Sequence, residues 1–90
     1  MEYEWDSVKS KANARKHGVK FADAVIALED EFAITIADPD SKDEVRFVSL
    51  GMDANGRVLV TVFTHRDDAV RIISSRIASK GERKRYGEIS

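Results

Sequence analysis

Residues 57–77 read RVLVTVFTHRDDAVRIISSRI, and the way this stretch divides decides the fold. A run rich in valine and threonine ends at His65, Arg66-Asp67-Asp68 turns the chain, and a second β-branched run fills 69–77. Two such runs joined by a tight polar turn pair antiparallel. Side chains alternate across a strand. In the first run Val58, Val60 and Val62 therefore share one face, and Arg57, Leu59, Thr61, Phe63 and His65 the other. In the second, Val70, Ile72, Ser74 and Arg76 share a face, opposite Arg71, Ile73, Ser75 and Ile77. Neither face of the second run is cleanly apolar, so both faces of the sheet are expected to be partly covered.

Upstream, two further strands are expected at 32–37 and 44–52. They close with the turn sequences Asp38-Pro39-Asp40 and Asp53-Ala54-Asn55-Gly56. Phe21, Ala24, Val25 and Leu28 repeat at helical spacing and mark the core face of a helix. Glu29-Asp30-Glu31 follow it, acids at the end where the helix dipole disfavours them; they mark a helix stop or an acidic surface with a partner. Asp6 fits the N-cap of an earlier helix running to about residue 16, and Gly18 its left-handed stop. That helix has a thin apolar stripe (Trp5, Val8, Ala12, then Val19), with Lys9, Asn13, Lys16 and Lys20 on another face. Tyr3-Glu4-Trp5 alternates as a short opening strand does. Downstream, Ser79 and Glu82 form a capping box for a last helix anchored only by Tyr86 and Ile89. The expected order is β-α-α-β-β-β-β-α: one α+β domain over 1–90, with helices packed on a twisted antiparallel sheet.

Composition narrows the function classes. The chain has 90 residues, no cysteine and two histidines, which leaves no disulfide framework and no thiolate or histidine metal site; no metal and no cofactor are expected. No apolar run approaches the length of a membrane span, and the acidic, mixed opening MEYEWDSVK does not fit a signal peptide, so a cytoplasmic location without membrane contact is expected. The formal net charge is −1, but it is unevenly spread. Residues 7–20 hold five basic residues and no acid; residues 66–86 hold seven basic residues against three acids; residues 21–45 hold eight acids against Lys42. If the two basic segments met in space, they would form a patch able to attract phosphates.

The arginines inside the strand at 69–77 are the feature a buried strand does not require. An arginine on a strand holds its guanidinium at a fixed point, which suits bidentate contact with a phosphate or a carboxylate. The competing structural reading pairs each with Glu44, Asp67 or Asp68 across the sheet edge. Tyr86 likewise serves either as a packing anchor or at a ligand.

Four stretches together resemble the BrnT-type toxins, the ribonuclease half of a bacterial type II toxin–antitoxin pair: YEWDSVK, NARKHGVKFADA at 13–24, RVLVTVFTHR and RIISSRIASKGERKRY. The resemblance implies a RelE-like fold and metal-independent endoribonuclease activity that inhibits translation and growth. It also implies a cognate ribbon-helix-helix antitoxin that covers the toxin, with two toxins per antitoxin dimer and DNA reached only through the antitoxin. The substrate the resemblance implies is RNA, an mRNA either free or presented on a ribosome. Carried onto this sequence, the resemblance favours Arg71, Arg76, Arg83 and Tyr86 as catalytic residues. Arg46 and Arg57 on neighbouring strands, with Lys9, Lys16 and Lys80, are the expected RNA contacts. His65 stands after Thr64 where the family pattern leads one to expect an acid; as the only histidine near that sheet end it becomes the candidate acid or base. His17, in KHGV, is read as a helix cap. The alternatives are a catalytically inactive antitoxin-binding module of the same fold, and a structural protein whose basic residues pair with its own acidic middle.

Overall fold

The computed structural model describes residues 1–89, of which the side chain of Ile89 lies outside the described part. The elements are β1 (Glu2–Glu4), α1 (Ser7–His17), α2 (Phe21–Leu28), β2 (Ile34–Ala37), β3 (Arg46–Met52), β4 (Val58–Arg66), β5 (Ala69–Ile77) and α3 (Lys80–Ile89). The fold is α+β, in the expected order. Strands β2 to β5 form the antiparallel meander, and β1 adds to β5 in parallel, giving a mixed sheet ordered β1-β5-β4-β3-β2. Parallel addition is open to β1 because α1, α2 and the whole meander separate it from β5 along the chain.

Helix α1 starts where Asp6 accepts the Val8 and Lys9 N–H groups at 2.8 and 3.2 Å, and it stops at Gly18, whose φ of 69° is left-handed. Its packing departs from the expected apolar stripe. Val8 is 73% exposed, and Asn13, expected on the basic face, is the residue that α1 buries. The Asn13 amide donates to the Ser75 carbonyl at 2.8 Å and to the Val19 carbonyl at 3.0 Å, and its oxygen accepts the Ser75 N–H at 3.2 Å. Strand β1 pairs with β5 only as far as Arg71. Beyond that point Asn13 satisfies the free edge of β5 as a neighbouring strand would, which blunts an otherwise open edge.

Helix α2 buries Phe21, Ala24 and Ala27. It crosses β3 at Gly51, where a Cβ would run into the Ala27 carbonyl, so only glycine allows this approach. On this face of the sheet Val19, Ala27 and Leu59 pack together, and Phe21, Ala24 and Ile72 pack with Tyr3 and Trp5. On the opposite face Val58, Val60, Ala78 and Tyr86 pack with Val48 and Leu50. The sheet is thus covered on both faces, by α1 and α2 on one and by α3 on part of the other.

One irregularity resets the side-chain phase of β5. Val62 pairs with Ser74 but Phe63 pairs with Ile72, so Ile73 is an extra, bulged residue. Strict alternation placed Arg71 and Arg76 on opposite faces. With the bulge, Arg71 (opposite Thr64) and Arg76 (opposite Val60) fall on the same face as α3, while Ile72 and Ser75 fall on the α2 side.

Candidate functional site

The sheet face beside α3 carries two transverse rows of residues. Register aligns Glu4, Arg71, Thr64 and Arg46 across β1, β5, β4 and β3. Strands lie about 4.8 Å apart, which sets the backbones of Arg71 and Arg46 about 10 Å from each other. Arg71 Nη1 reaches Glu4 Oε1 at 3.4 Å. Thr64 between the arginines is buried, its hydroxyl donating to the Val45 carbonyl at 2.7 Å. Arg46 and Arg66 share Glu44, at 3.7 and 3.9 Å. The second row holds Arg76, Val60, Leu50 and Ile34.

Arg76 is held from above by α3. Its Nη1 and Nη2 donate to Glu82 Oε1 and Oε2 at 2.8 and 2.9 Å. Glu82 also completes the expected capping box: Ser79 N–H donates to Oε1 at 2.8 Å and Glu82 N–H donates to Ser79 Oγ at 3.2 Å. The Arg76 guanidinium, followed by the Ser79 backbone, holds the Glu82 carboxyl down at about 2 against the opposing effect of burial. The same pairing raises Arg76. The carboxylates paired to the two strand arginines are therefore Glu4 and Glu82, not Glu44, Asp67 or Asp68.

Tyr86 is buried, and its hydroxyl donates to Asp30 Oδ2. Asp30 also accepts the Met52 N–H at 2.8 Å and the Phe32 N–H at 3.0 Å. Burial pushes the Asp30 carboxyl up, but the Tyr86 hydroxyl and these two backbone donors prevail and hold it below its ordinary value. The bond to Asp30, with burial, pushes the phenol up to about 12. A ring so enclosed, with its hydroxyl donated to Asp30, packs α3 onto the sheet. Asp30, from the acidic run after α2, is the partner that holds it.

The structure gives two further candidates surroundings other than those expected. His65 pairs with Val70 and contacts the Phe47 and Phe63 rings at centroid distances of 5.4 and 5.8 Å. It lies on the α2 side of the sheet, across from Arg71 and Arg76. Arg57 is a structural clamp. Its Nε donates to Asp53 Oδ2 at 2.8 Å, Nη1 to the Gly18 carbonyl at 3.1 Å and Nη2 to Asp23 Oδ2 at 3.3 Å, tying the β3–β4 hairpin to the α1–α2 junction. Asp53, pushed up by burial, is brought below its ordinary value by the Arg57 backbone and guanidinium. Lys9 and Lys16 are exposed on α1, and Lys80 and Arg83 line a groove with Met52, Val58 and Tyr86 on one flank of α3. Arg85 and Glu82 line the other flank, above Ile34, Ile36, Val48 and Leu50.

The structure thus gathers Arg71, Arg76 and Arg46 on one face. It adds Glu4 and Arg85, which the sequence reading had not singled out. The alternation of Tyr3-Glu4-Trp5 was the available signal for Glu4, because it set the carboxylate opposite the two half-buried rings.

A family model described as the ribonuclease toxin BrnT of type II toxin–antitoxin systems matches residues 5–82. The fold matches the crystal structure of the Brucella abortus ribonuclease toxin BrnT with a TM-score of 0.67, at 28% sequence identity over 89% of this chain and 99% of that one. No curated protein matches the chain.

Proposed function

Since this chain belongs to the BrnT family of ribonuclease toxins of type II toxin–antitoxin systems, we propose that it cleaves RNA without a metal ion, on the sheet face that carries Arg71, Arg76 and Arg46. RNA supplies its own nucleophile, the 2′-hydroxyl beside the scissile phosphate. What the protein must add is fixed positive charge at the phosphorane oxygens, and guanidiniums on the rigid strands β5 and β3 provide it by electrostatic preorganisation. The bulge at Ile73 carries this reading, because it brings the two strand arginines onto one face. Arg85 and Arg83 extend the positive surface along either flank of α3.

The partner is a protein antitoxin, read here as a ribbon-helix-helix dimer that binds two toxins and alone contacts DNA. Among the described residues no helix is long and apolar enough to cross a membrane, and an RNA substrate places the protein's action in the cytoplasm. The pairing of Arg76 with Glu82 favours one second reading, an antitoxin-binding module without catalysis, because a phosphate must displace Glu82 to reach Arg76.

Cellular RNA incubated with the purified chain in EDTA separates the two. Fragments ending in 2′,3′-cyclic phosphate are expected; if they form only when ribosomes are present, the substrate is ribosome-bound RNA. RNA left intact under both conditions, by a chain that still binds its antitoxin, would establish the binding module instead.

A further inference from the structure

Arg71 and Arg76 each meet a carboxylate on this face, and the two pairs differ in what they leave free. Glu82 meets both Nη atoms of Arg76 and the Ser79 N–H, all within 2.9 Å. Both its oxygens are engaged, and a carboxylate stabilised to that degree is a weak proton acceptor. Glu4 meets Arg71 Nη1 at 3.4 Å through Oε1, and its side chain is 40% exposed. Its second oxygen makes no hydrogen bond among the described residues. Glu44, farther along the face, lies between Arg46 and Arg66.

Attack of a 2′-hydroxyl on the adjacent phosphorus makes two demands within a few ångströms. A base must take the hydroxyl proton, and a cation must hold a non-bridging oxygen of the same phosphate. A carboxylate in contact with a guanidinium meets both. Here the pair is set by backbone register, since parallel pairing of β1 with β5 puts Glu4 opposite Arg71. Thr64 and Arg46 continue the same row. As a purely structural contact, a part-exposed pair of this kind contributes little to stability.

Resting on the ribonuclease reading above, we propose that Glu4 is the proton acceptor of the reaction and Arg71 its phosphate clamp. Glu4 takes the 2′-hydroxyl proton as the bond from the 2′-oxygen to phosphorus forms. Arg71 balances the charge that builds on the non-bridging oxygens. The bond from phosphorus to the 5′-oxygen breaks, the departing oxygen takes a proton from water, and a 2′,3′-cyclic phosphate remains. Glu4 then returns its proton to solvent.

The Glu4→Gln variant keeps the shape and leaves an amide oxygen for Arg71 but removes the base. Under the conditions in which the wild type cleaves, its single-turnover rate is expected to fall by roughly 10²–10⁴-fold. Its affinity for a 2′-O-methyl RNA of the same sequence and its melting temperature should match the wild type, and Glu4→Asp should recover part of the rate. Arg71→Ala should weaken binding of the 2′-O-methyl RNA as well. Cleavage by Glu4→Gln at the wild-type rate overturns the assignment of Glu4 and leaves the ribonuclease reading standing. A rate loss matched by equal losses of affinity or melting temperature makes Glu4 structural and overturns it too. A wild-type chain that leaves RNA intact with and without ribosomes overturns both readings.

Discussion

Replacing Tyr86 by phenylalanine tests whether the last helix is held by a buried phenol or uses that phenol on its substrate. The ring stays, so the packing against Val58, Val60 and Ala78 is retained, and only the hydroxyl that donates to Asp30 is lost. A hydrogen bond to a charged group is worth about 1.5–3 kcal/mol. Asp30 keeps two backbone donors, from Met52 and Phe32, so a cost at or just below the low end of that range, about 1–2 kcal/mol, is expected. At about 2.1 cal/mol/K per residue, a chain of 90 residues melts about 5 °C lower for each kcal/mol lost. The predicted drop is therefore about 5–10 °C in a thermal unfolding experiment near neutral pH.

The alkaline limb gives an independent check. The folded phenol is pushed up to about 12 from its ordinary value of 10.0. A group whose folded pKa is raised contributes fully below the unfolded value, and that contribution is lost as pH rises to the folded one. The wild type should thus lose its advantage between pH 10 and 12, while the variant, having no phenol, loses nothing there. The gap between the two proteins should close across that window. Equal melting temperatures at neutral pH, combined with loss of RNA cleavage, would refute the anchoring role and return Tyr86 to the substrate.

Three further outcomes follow from the same contacts. Asn13→Ala leaves the Ser75 N–H and carbonyl and the Val19 carbonyl without their partner; urea unfolding should show a loss of about 2–4 kcal/mol, although the residue lies in the helix of weakest apolar packing. Arg57→Ala removes the clamp on Asp53, Asp23 and Gly18 and should lower the melting temperature while leaving RNA affinity, measured on a 2′-O-methyl RNA, unchanged. Glu82→Gln weakens the hold on Arg76 and the cap of α3. The folded carboxyl is depressed from 4.5 to about 2, so its contribution is present above pH 4.5 and lost as pH falls toward 2. With the Arg76 side chain 45% exposed, screening reduces that contribution to about 1 kcal/mol. The variant should be less stable than wild type at neutral pH and equal to it near pH 2. Phosphate affinity should rise if Arg76 is released to solvent.

The parts of this fold that were legible in the sequence are those governed by local chemistry. Asp6, Gly18 and the Ser79–Glu82 capping box each act within a few residues, and each sits where its spacing put it. The four meander strands and the two covered faces followed from β-branched runs, turn residues and the lack of a clean apolar face in 69–77. What stayed hidden depends on partners far along the chain. The bulge at Ile73 carries no glycine or proline to announce it, yet it reverses the face of every residue after it. Asn13 reads as polar helix surface until a free strand edge stands beside it. Arg57, just before β4, and Arg71, in β5, are the same residue type; one is consumed by Asp53 and Asp23 and the other faces Glu4, a difference set entirely by what the fold brings near. His65 stood at the expected end of the sheet but on the other face, which strand position alone could not distinguish without the phase of β5.

The most direct test of the site on the α3 face of β5 compares RNA cleavage in EDTA by the wild type with Arg71→Ala, Arg76→Ala and His65→Ala variants of matched thermal stability, with ribosomes present and absent. Loss of cleavage in both arginine variants and its retention in His65→Ala is the predicted result. Cleavage that survives loss of both arginines, or that fails only when His65 is replaced, would place the reaction on the opposite face of the sheet and contradict the account.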